Sequence, residues 1–254
     1  MEKVTLGKSG IKVSKLGFGT GTHGILGASA QTNLGADNFV KLLRYGFDKG
    51  ITYWDTADPY GCHHYIADAL RGMNRSDVVI GSKTDSKTPM GVCNDISRFL
   101  SELRVDYLDM LLFHCVISEN WLEEYHGAIE VLKEAKGRGM VKAIGISCHG
   151  FNALKRVEEA DWLDIVITRL NYAGSNMDVP PEKVIPVLEK IHGQGKGTVI
   201  IKVLGDGELV QEPEKAINFI SSLSCVDAMI IGMVDENQVD QNVQLVENVF
   251  TKVG

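Results

Sequence analysis

The stretch Leu108-Asp109-Met110-Leu111-Leu112-Phe113, closed by His114, decides the fold. Five of the six residues before the histidine are apolar, and they do not alternate with polar ones. A short unbroken apolar run reads as a strand buried on both faces, which is what a parallel sheet produces. Two upstream runs repeat the pattern. Gly50-Ile51-Thr52-Tyr53-Trp54 is closed by Asp55, and Val78-Val79-Ile80-Gly81-Ser82 by Lys83. Each run delivers a polar group at its C-terminal edge. In a barrel of parallel strands, that edge is where catalytic side chains collect.

Working outward, strand-like runs fall at 15–19, 51–54, 78–82, 108–113, 141–146, 163–168, 198–203 and 228–231. Segments of helical period lie between and after them, near 36–49, 64–73, 94–103, 121–138, 152–160, 181–192, 213–223 and 236–249. Gly50 follows the first helix, Gly137 and Gly139 end the fourth, and Gly193 and Gly195 end the sixth. Pro180-Pro181 opens the sixth helix and Pro213 the seventh, where a missing N–H costs little. Eight evenly spaced strand–helix units with no linker-like break predict one domain over residues 1–254, an α/β fold of the (β/α)8 TIM barrel type. The opening Val4 to Val13, with Gly7 and Gly10, predicts a short β-hairpin outside the repeat.

Composition supports a globular chain and excludes several functions. Hydrophobic residues make up 44% and charged residues 23%, enough apolar content for a sizeable core. The net charge is −7, and Lys and Arg form no cluster, so neither nucleic acid nor an anionic membrane is expected as a partner. The N-terminus Met1-Glu2-Lys3-Val4-Thr5 has no apolar signal region, and no later run is long enough to span a bilayer, so a cytoplasmic location is expected. The five cysteines include no C-x-x-C pair and are odd in number, which predicts free thiols rather than a disulfide framework or a metal site.

Several other features attract attention and are read plainly. Gly19-Thr20-Gly21-Thr22-His23-Gly24 matches the G-x-G-x-x-G dinucleotide fingerprint, with Asp37 downstream. That motif needs a helix to begin at its glycines, and here a polar, glycine-containing loop runs on to about Ala36. The segment is therefore expected to floor a site at a barrel mouth. Cys62-His63-His64 lacks a fourth ligand and is expected at the surface or rim. Glu123, Glu124, Glu130 and Glu134, with Lys133 and Lys136, read as a solvated helix face, and Trp121 and Trp162 as core.

Asp55-Thr56-Ala57, Tyr60-Gly61, Lys83 and His114, in this order and context, resemble the catalytic tetrad of the aldo-keto reductase family. The resemblance extends along nearly the whole chain, through Gly17-Phe18-Gly19-Thr20 and Lys142-Ala143-Ile144-Gly145-Ile146-Ser147 to the last helix. It implies reduction of a small aldehyde or ketone by hydride from a nicotinamide cofactor. Hydride transfer to a carbonyl builds negative charge on oxygen, which needs a proton donor within hydrogen-bond reach. Tyr60 is that donor, Lys83 stabilises its ionised form, Asp55 holds Lys83, and His114 donates to the carbonyl oxygen. Each residue also has an ordinary structural reading. Asp55 could be a helix cap, Tyr60 a turn aromatic, Lys83 a rim charge and His114 a core histidine.

The resemblance also implies the cofactor contacts. They are Gly19, Thr20, Gly21 and Asp55 near the mouth, Ser147 at the carboxamide, and Leu204, Gly205 and Gly207 at the pyrophosphate. Gly232, Met233, Gln238 and Asn242 stand at the adenosine end. The chain departs from the family pattern in places. Cys148 replaces the usual Asn beside Ser147, no Gln is evident in Ile167-Thr168-Arg169-Leu170-Asn171, and Ile201 stands where many members stack an aromatic ring. The family implies NADP(H). The cationic clamp for its 2′-phosphate is missing, and Asp235 and Glu236 add negative charge, so NAD(H) stays open. No metal is expected.

The chain stops at Gly254, after the eighth helix, which predicts an open, shallow substrate site bounded by Trp54, Tyr60, His114, His23 and the loop around residues 171–177. Two other readings stand beside carbonyl reduction: a nicotinamide-binding regulatory subunit, and a barrel lyase or isomerase using Lys83 as a Schiff-base amine. The sequence carries no signal for the oligomeric state, the reaction direction or the individual substrate.

Overall fold

In the computed structural model, which describes residues 1–251, two short strands precede the barrel. Strands β1 (Lys3–Thr5) and β2 (Lys12–Ser14) pair antiparallel, with Val4 opposite Val13, as the hairpin reading expects. Eight parallel strands then close on themselves. They are β3 (Leu16–Gly19), β4 (Tyr53–Asp55), β5 (Val79–Thr84), β6 (Leu108–Val116), β7 (Val141–Cys148), β8 (Ile165–Arg169), β9 (Gly197–Ile201) and β10 (Ala228–Gly232), with β10 hydrogen-bonded back to β3.

The helices cover the outside: α1 (Ala36–Asp48), α2 (His63–Ala69), α3 (Pro89–Leu103), α4 (Trp121–Glu124), α5 (His126–Gly137), α6 (Phe151–Lys155), α7 (Pro181–Gly193), α8 (Pro213–Ser221) and α9 (Glu236–Thr251). Four differ from the sequence reading, and α2, expected to run to residue 73, ends at Ala69. Helix α3 starts earlier, because Pro89 occupies its first position and the Thr88 hydroxyl accepts from the Gly91 N–H at 3.2 Å. The single helix expected over 121–138 is broken at Tyr125, which leaves helical geometry (φ −102°, ψ 6°) and packs its ring 5.2 Å from that of Phe113. The helix expected over 152–160 shrinks to α6 followed by a tight 3₁₀ turn (Arg156–Glu159).

Two apolar layers hold the barrel. The inner one joins Tyr53, Met110, Leu112, Ala143, Ile165, Ile167, Val199 and Ile230 with Leu6, Ile11 and Val13 of the hairpin, which closes the N-terminal end. The outer layer lies between strands and helices and includes Phe18, Trp54, Ile80, Leu111, Phe113 and Ile144. Alternation along each strand sorts the side chains between the two.

Polar latches tie the strands in pairs at the N-terminal floor. The Ser14 hydroxyl accepts from the Thr52 N–H at 3.0 Å, linking the β3 entry to the β4 entry. The Asp109 carboxylate of β6 accepts from the Ile80 N–H of β5 at 2.9 Å and from Arg75 at 2.7 Å. Asp164, just before β8, accepts from the Ile144 N–H of β7 at 2.9 Å and pairs with Lys136 at 2.6 Å. Asp227, just before β10, accepts from the Thr198 N–H of β9 at 2.9 Å, with His192 at 3.1 Å. Conserving bonding capacity this way satisfies N–H groups where the ladder runs out.

Candidate active site

The C-terminal mouth gathers the four sequence-predicted polar groups. Asp55 ends β4 and Lys83 lies in β5, where Asp55 pairs with Gly81 and Lys83 rises one step further. The Lys83 ammonium donates to both Asp55 oxygens at 2.7 Å and to the Thr56 carbonyl at 2.9 Å. All three of its protons are thereby used, and its side chain is 1% exposed. Burial pushes the Asp55 carboxyl upward while the ammonium pulls it down.

Tyr60 closes a 3₁₀ turn (Asp58–Tyr60) that follows β4, with Pro59 inside it and Gly61 left-handed behind it. Its hydroxyl lies 3.2 Å from His114 Nε2, and Lys83 Nζ stands 5.6 Å from the centre of its ring. Burial pushes the phenol well above its ordinary range, and the Asp55 charge adds to this, so Tyr60 holds its proton at neutral pH. His114 Nδ1 lies 2.8 Å from the Asp85 carboxylate. Burial opposes charge on the imidazole, but Asp85 and Cys115 outweigh it and the pKa is raised. Asp85 was not among the sequence candidates. It sits two residues past Lys83 in a polar run, with no apolar run before it to mark it.

The glycine motif has a steric purpose. A Cβ at Gly21 would stand 2.1 Å from Tyr60 Cε2, and one at Gly24 would stand 2.3 Å from Tyr60 Cδ1. The two glycines are the seat of the tyrosine ring. Thr20 stitches the same loop to β4, its N–H and its hydroxyl each donating to the Asp55 carbonyl at 3.0 Å. The expected long loop is present, with one 3₁₀ turn (Thr32–Leu34) before α1.

Two other segments border the mouth. After β9, Lys202, Gly205, Asp206 and Gly207 all take positive φ, and Lys202 Nζ donates to Asp206 at 2.6 Å. After β10, a Cβ on Gly232 would meet Thr22 Oγ1 at 1.9 Å, so this loop fits tightly on the first one. Gln31 bridges them, donating to Thr22 Oγ1 at 2.9 Å and to the Met233 carbonyl at 3.3 Å.

A model of the aldo/keto reductase family matches residues 15–223. The chain belongs to the aldo/keto reductase family. Its members are NAD(P)H-dependent oxidoreductases, and the expected resemblance and the (β/α)8 fold are both shown. The chain is 29% identical over 221 residues to probable aldo-keto reductase 1 of Glycine max, an alignment covering 82% of this chain and 60% of that protein. It therefore spans about three-fifths of that relative's length. To the NADH-specific methylglyoxal reductase of Escherichia coli it is 22% identical, over 70% of this chain and 61% of the relative. In fold it resembles the holo form of an aldo-keto reductase from Bacillus halodurans, with a TM-score of 0.81 at 21% identity, covering 97% of this chain and 91% of that one.

The residues of this aldo/keto reductase fit a nicotinamide cofactor at some expected positions. Ser147 Oγ, on β7, is buried with no hydrogen-bond partner among the described residues, a polar atom left for a ligand amide. Gly207 leaves the β9 loop open at the mouth, with nothing within 4 Å of a Cβ built on it, whereas a Cβ on Gly205 would meet Leu209 Cγ at 2.9 Å. Leu204 carries the 3₁₀ turn they form (Gly205–Gly207). The adenosine end fits less well. Met233 is fully buried, Asn242 is 5% exposed, and Gln238 Oε1 accepts from the Val234 N–H at 3.0 Å. Asp235 accepts from the Gln238 N–H at 2.8 Å, so a carboxylate of the protein itself already caps α9.

Two expectations need correction. Trp54 does not line the substrate site: it is fully buried in the outer layer, because the alternation that turns Asp55 inward turns Trp54 outward. Cys62 and His63 are not at the surface either, since both are buried beneath the tyrosine turn. His63 Nε2 lies 2.9 Å from Ser82 Oγ and Nδ1 lies 2.7 Å from Glu102. This mimics a hydrolytic Ser-His-Glu triad, but Ser82 is fully buried and no substrate can reach it, so the trio ties α2 and α3 to β5. Among the described residues, no three His, Cys, Asp or Glu side chains are placed to hold a metal ion, and no helix is long and apolar enough to cross a membrane.

Proposed function

We propose that this protein reduces small aldehydes or ketones to alcohols with hydride from a nicotinamide cofactor. The observation that carries the reading is the Tyr60 hydroxyl, protonated and 3.2 Å from His114 Nε2, above the buried Asp55–Lys83 pair. When bound at the mouth, a dihydronicotinamide would supply the hydride for the carbonyl carbon. His114 donates to the carbonyl oxygen and orients it, and Tyr60 gives that oxygen its proton. The phenolate left behind lies between the imidazole and the ammonium, where positive charge stabilises it. Asp55 and the Thr56 carbonyl hold the ammonium in place. The same three bonds argue against Lys83 as a Schiff-base nucleophile, which needs a free amine.

Ser147 would hold the carboxamide, and the turn after Leu204 the pyrophosphate. At the adenosine end, Asp235 occupies the α9 N-terminus and Gln238 is turned back onto the chain, so a 2′-phosphate there would face a carboxylate. NAD(H) is therefore the favoured cofactor over the NADP(H) that the family resemblance implies. Nicotinamide oxidation followed with NADH and NADPH over an aldehyde and ketone panel tests both points. Tyr60→Phe should lower kcat by about 10²–10⁴-fold while NADH binding, read by fluorescence, is kept. Full activity in that variant would sink the reading.

A further inference from the structure

Strand β6 ends in a bulge, where its register with β7 shifts between Phe113 and Val116, and two consecutive side chains reach the rim. One is His114. The other is Cys115, exposed and left-handed at φ 49°. Its Sγ lies 3.8 Å from both ring nitrogens of His149, so a small ring rotation lets either one donate to the sulfur. His149 is fixed through its main chain: its N–H donates to the Val116 carbonyl at 2.8 Å, and its own carbonyl accepts from Arg169. The imidazoles of His114 and His149 meet edge-on, 6.3 Å between centres, with the thiol beside both. Tyr60 lies near the thiol, Asp85 holds His114 from behind, and Arg169, paired with Asp178, reaches the His149 carbonyl.

Burial disfavours the thiolate, yet hydrogen bonds from His114 and His149 bring the Cys115 pKa down to about 6. The three buried thiols go the opposite way, since burial pushes Cys62, Cys148 and Cys225 upward. Cys93 is exposed on α3 and has no histidine partner among the described residues.

We propose that Cys115 and His149 form a reversible thiolation site at the barrel mouth that takes a low-molecular-weight disulfide. The Cys115 thiolate attacks one sulfur of the disulfide, the S–S bond breaks, and the other half leaves as a thiolate that takes a proton from water. The incoming disulfide is the oxidant, and its departing half carries the electron pair away. A free thiol reverses the exchange. The adduct stands next to His114 and closes the approach to the Tyr60 hydroxyl. That last consequence rests on the carbonyl-reducing reading; the exchange itself does not.

Exchange of the full chain with the chromogenic disulfide dithiobis-nitrobenzoate, followed by released thiolate and intact mass, tests the site. At pH 6, about half of a thiol with a pKa of about 6 is ionised, against roughly one part in a thousand at the ordinary value of 9.0. That is about a 500-fold gain in thiolate, of which lower nucleophilicity removes about 20-fold, so Cys115 should react roughly 20-fold faster than an unstructured cysteine peptide. At pH 8.5 the order should reverse, which mere exposure would not produce. The fast phase should persist in Cys93→Ser, vanish in Cys115→Ser and slow about tenfold in His149→Asn at pH 6. A Cys115 no faster than the peptide at pH 6, or indifferent to His149→Asn, overturns the site. A Cys93→Ser protein thiolated with cystine should lose carbonyl turnover, keep NADH binding and recover with dithiothreitol. Undiminished turnover after complete thiolation overturns the gating. Absence of turnover before treatment overturns the gating and the carbonyl reading together, while the exchange kinetics still decide the thiol site.

Discussion

At the scale of single residues, the charge on His114 is set from behind by Asp85. Replacing that carboxylate, Asp85→Asn, removes what holds the imidazole pKa up, and the His114 titration followed by NMR should move to lower pH. An unmoved titration would mean that Asp85 has no hold on the ring. The sign carries over to stability. A raised folded-state pKa stabilises below the unfolded value of about 6.5, and that contribution fades as pH rises through the folded value. Asp55, Lys83 and His114 were legible because each breaks an apolar run, and a polar group there has few structural uses. Asp85 was not legible, since it lies in the polar stretch Lys83-Thr84-Asp85-Ser86-Lys87, where nothing distinguishes it from a loop residue. Trp54 was readable but misassigned. Its adjacency to Asp55 already required the two to face opposite layers.

At the scale of elements, the first loop and the tyrosine turn are one packed unit. Gly21→Ala would drive a methyl into the Tyr60 ring, so kcat should fall by about tenfold to a hundredfold through misplacement of the phenol. The melting temperature should fall by a few degrees as the ring is displaced, and an unchanged kcat would refute the coupling. The glycines were visible in the sequence, but their purpose was not, because the tyrosine they accommodate lies about forty residues downstream. Helix α2 supplies a second prediction. Burial depresses the His63 pKa against the pull of Glu102. The unfolded chain takes up this proton near pH 6.5 and the folded chain only at lower pH, so stability falls as pH drops below about 6.5. Urea midpoints between pH 7.5 and 5.5 should slope downward in the parent protein and less steeply in His63→Gln, whatever the variant's absolute stability. An identical slope would place the acid sensitivity elsewhere. Sequence periodicity could not find this trio, since burial of Cys62 and His63 depends on the turn packing over them.

At the scale of the molecule, the eight-unit count carried the fold, and turn glycines and helix-opening prolines carried most boundaries. The breaks at Tyr125 and after α6 escaped because an interruption of one residue barely disturbs a helical period. The floor latches escaped too, as an aspartate beside an apolar run looks the same whether it is solvated or bonded to the neighbouring strand.

Those latches have a consequence for how the chain can be divided. Ser14, Asp109, Asp164 and Asp227 join β3 with β4, β5 with β6, β7 with β8 and β9 with β10, so the ring is a set of four two-strand modules. At the floor, Lys142 pairs with Asp109 at 3.0 Å across the β6–β7 boundary, and that lysine is 45% exposed; at the mouth, Lys83 pairs with Asp55 across the β4–β5 boundary. Coexpressed fragments divided at Gly139, between modules, should reassemble into a protein with nicotinamide-dependent turnover. Fragments divided at Asp106, inside a module, should do so poorly, since each half would carry one side of a broken latch. Equal recovery from both cuts would show the modules to be geometric only. If the difference holds, the barrel is a construction of interchangeable quarters, and a foreign quarter could be grafted in at Gly139 without rebuilding its neighbours.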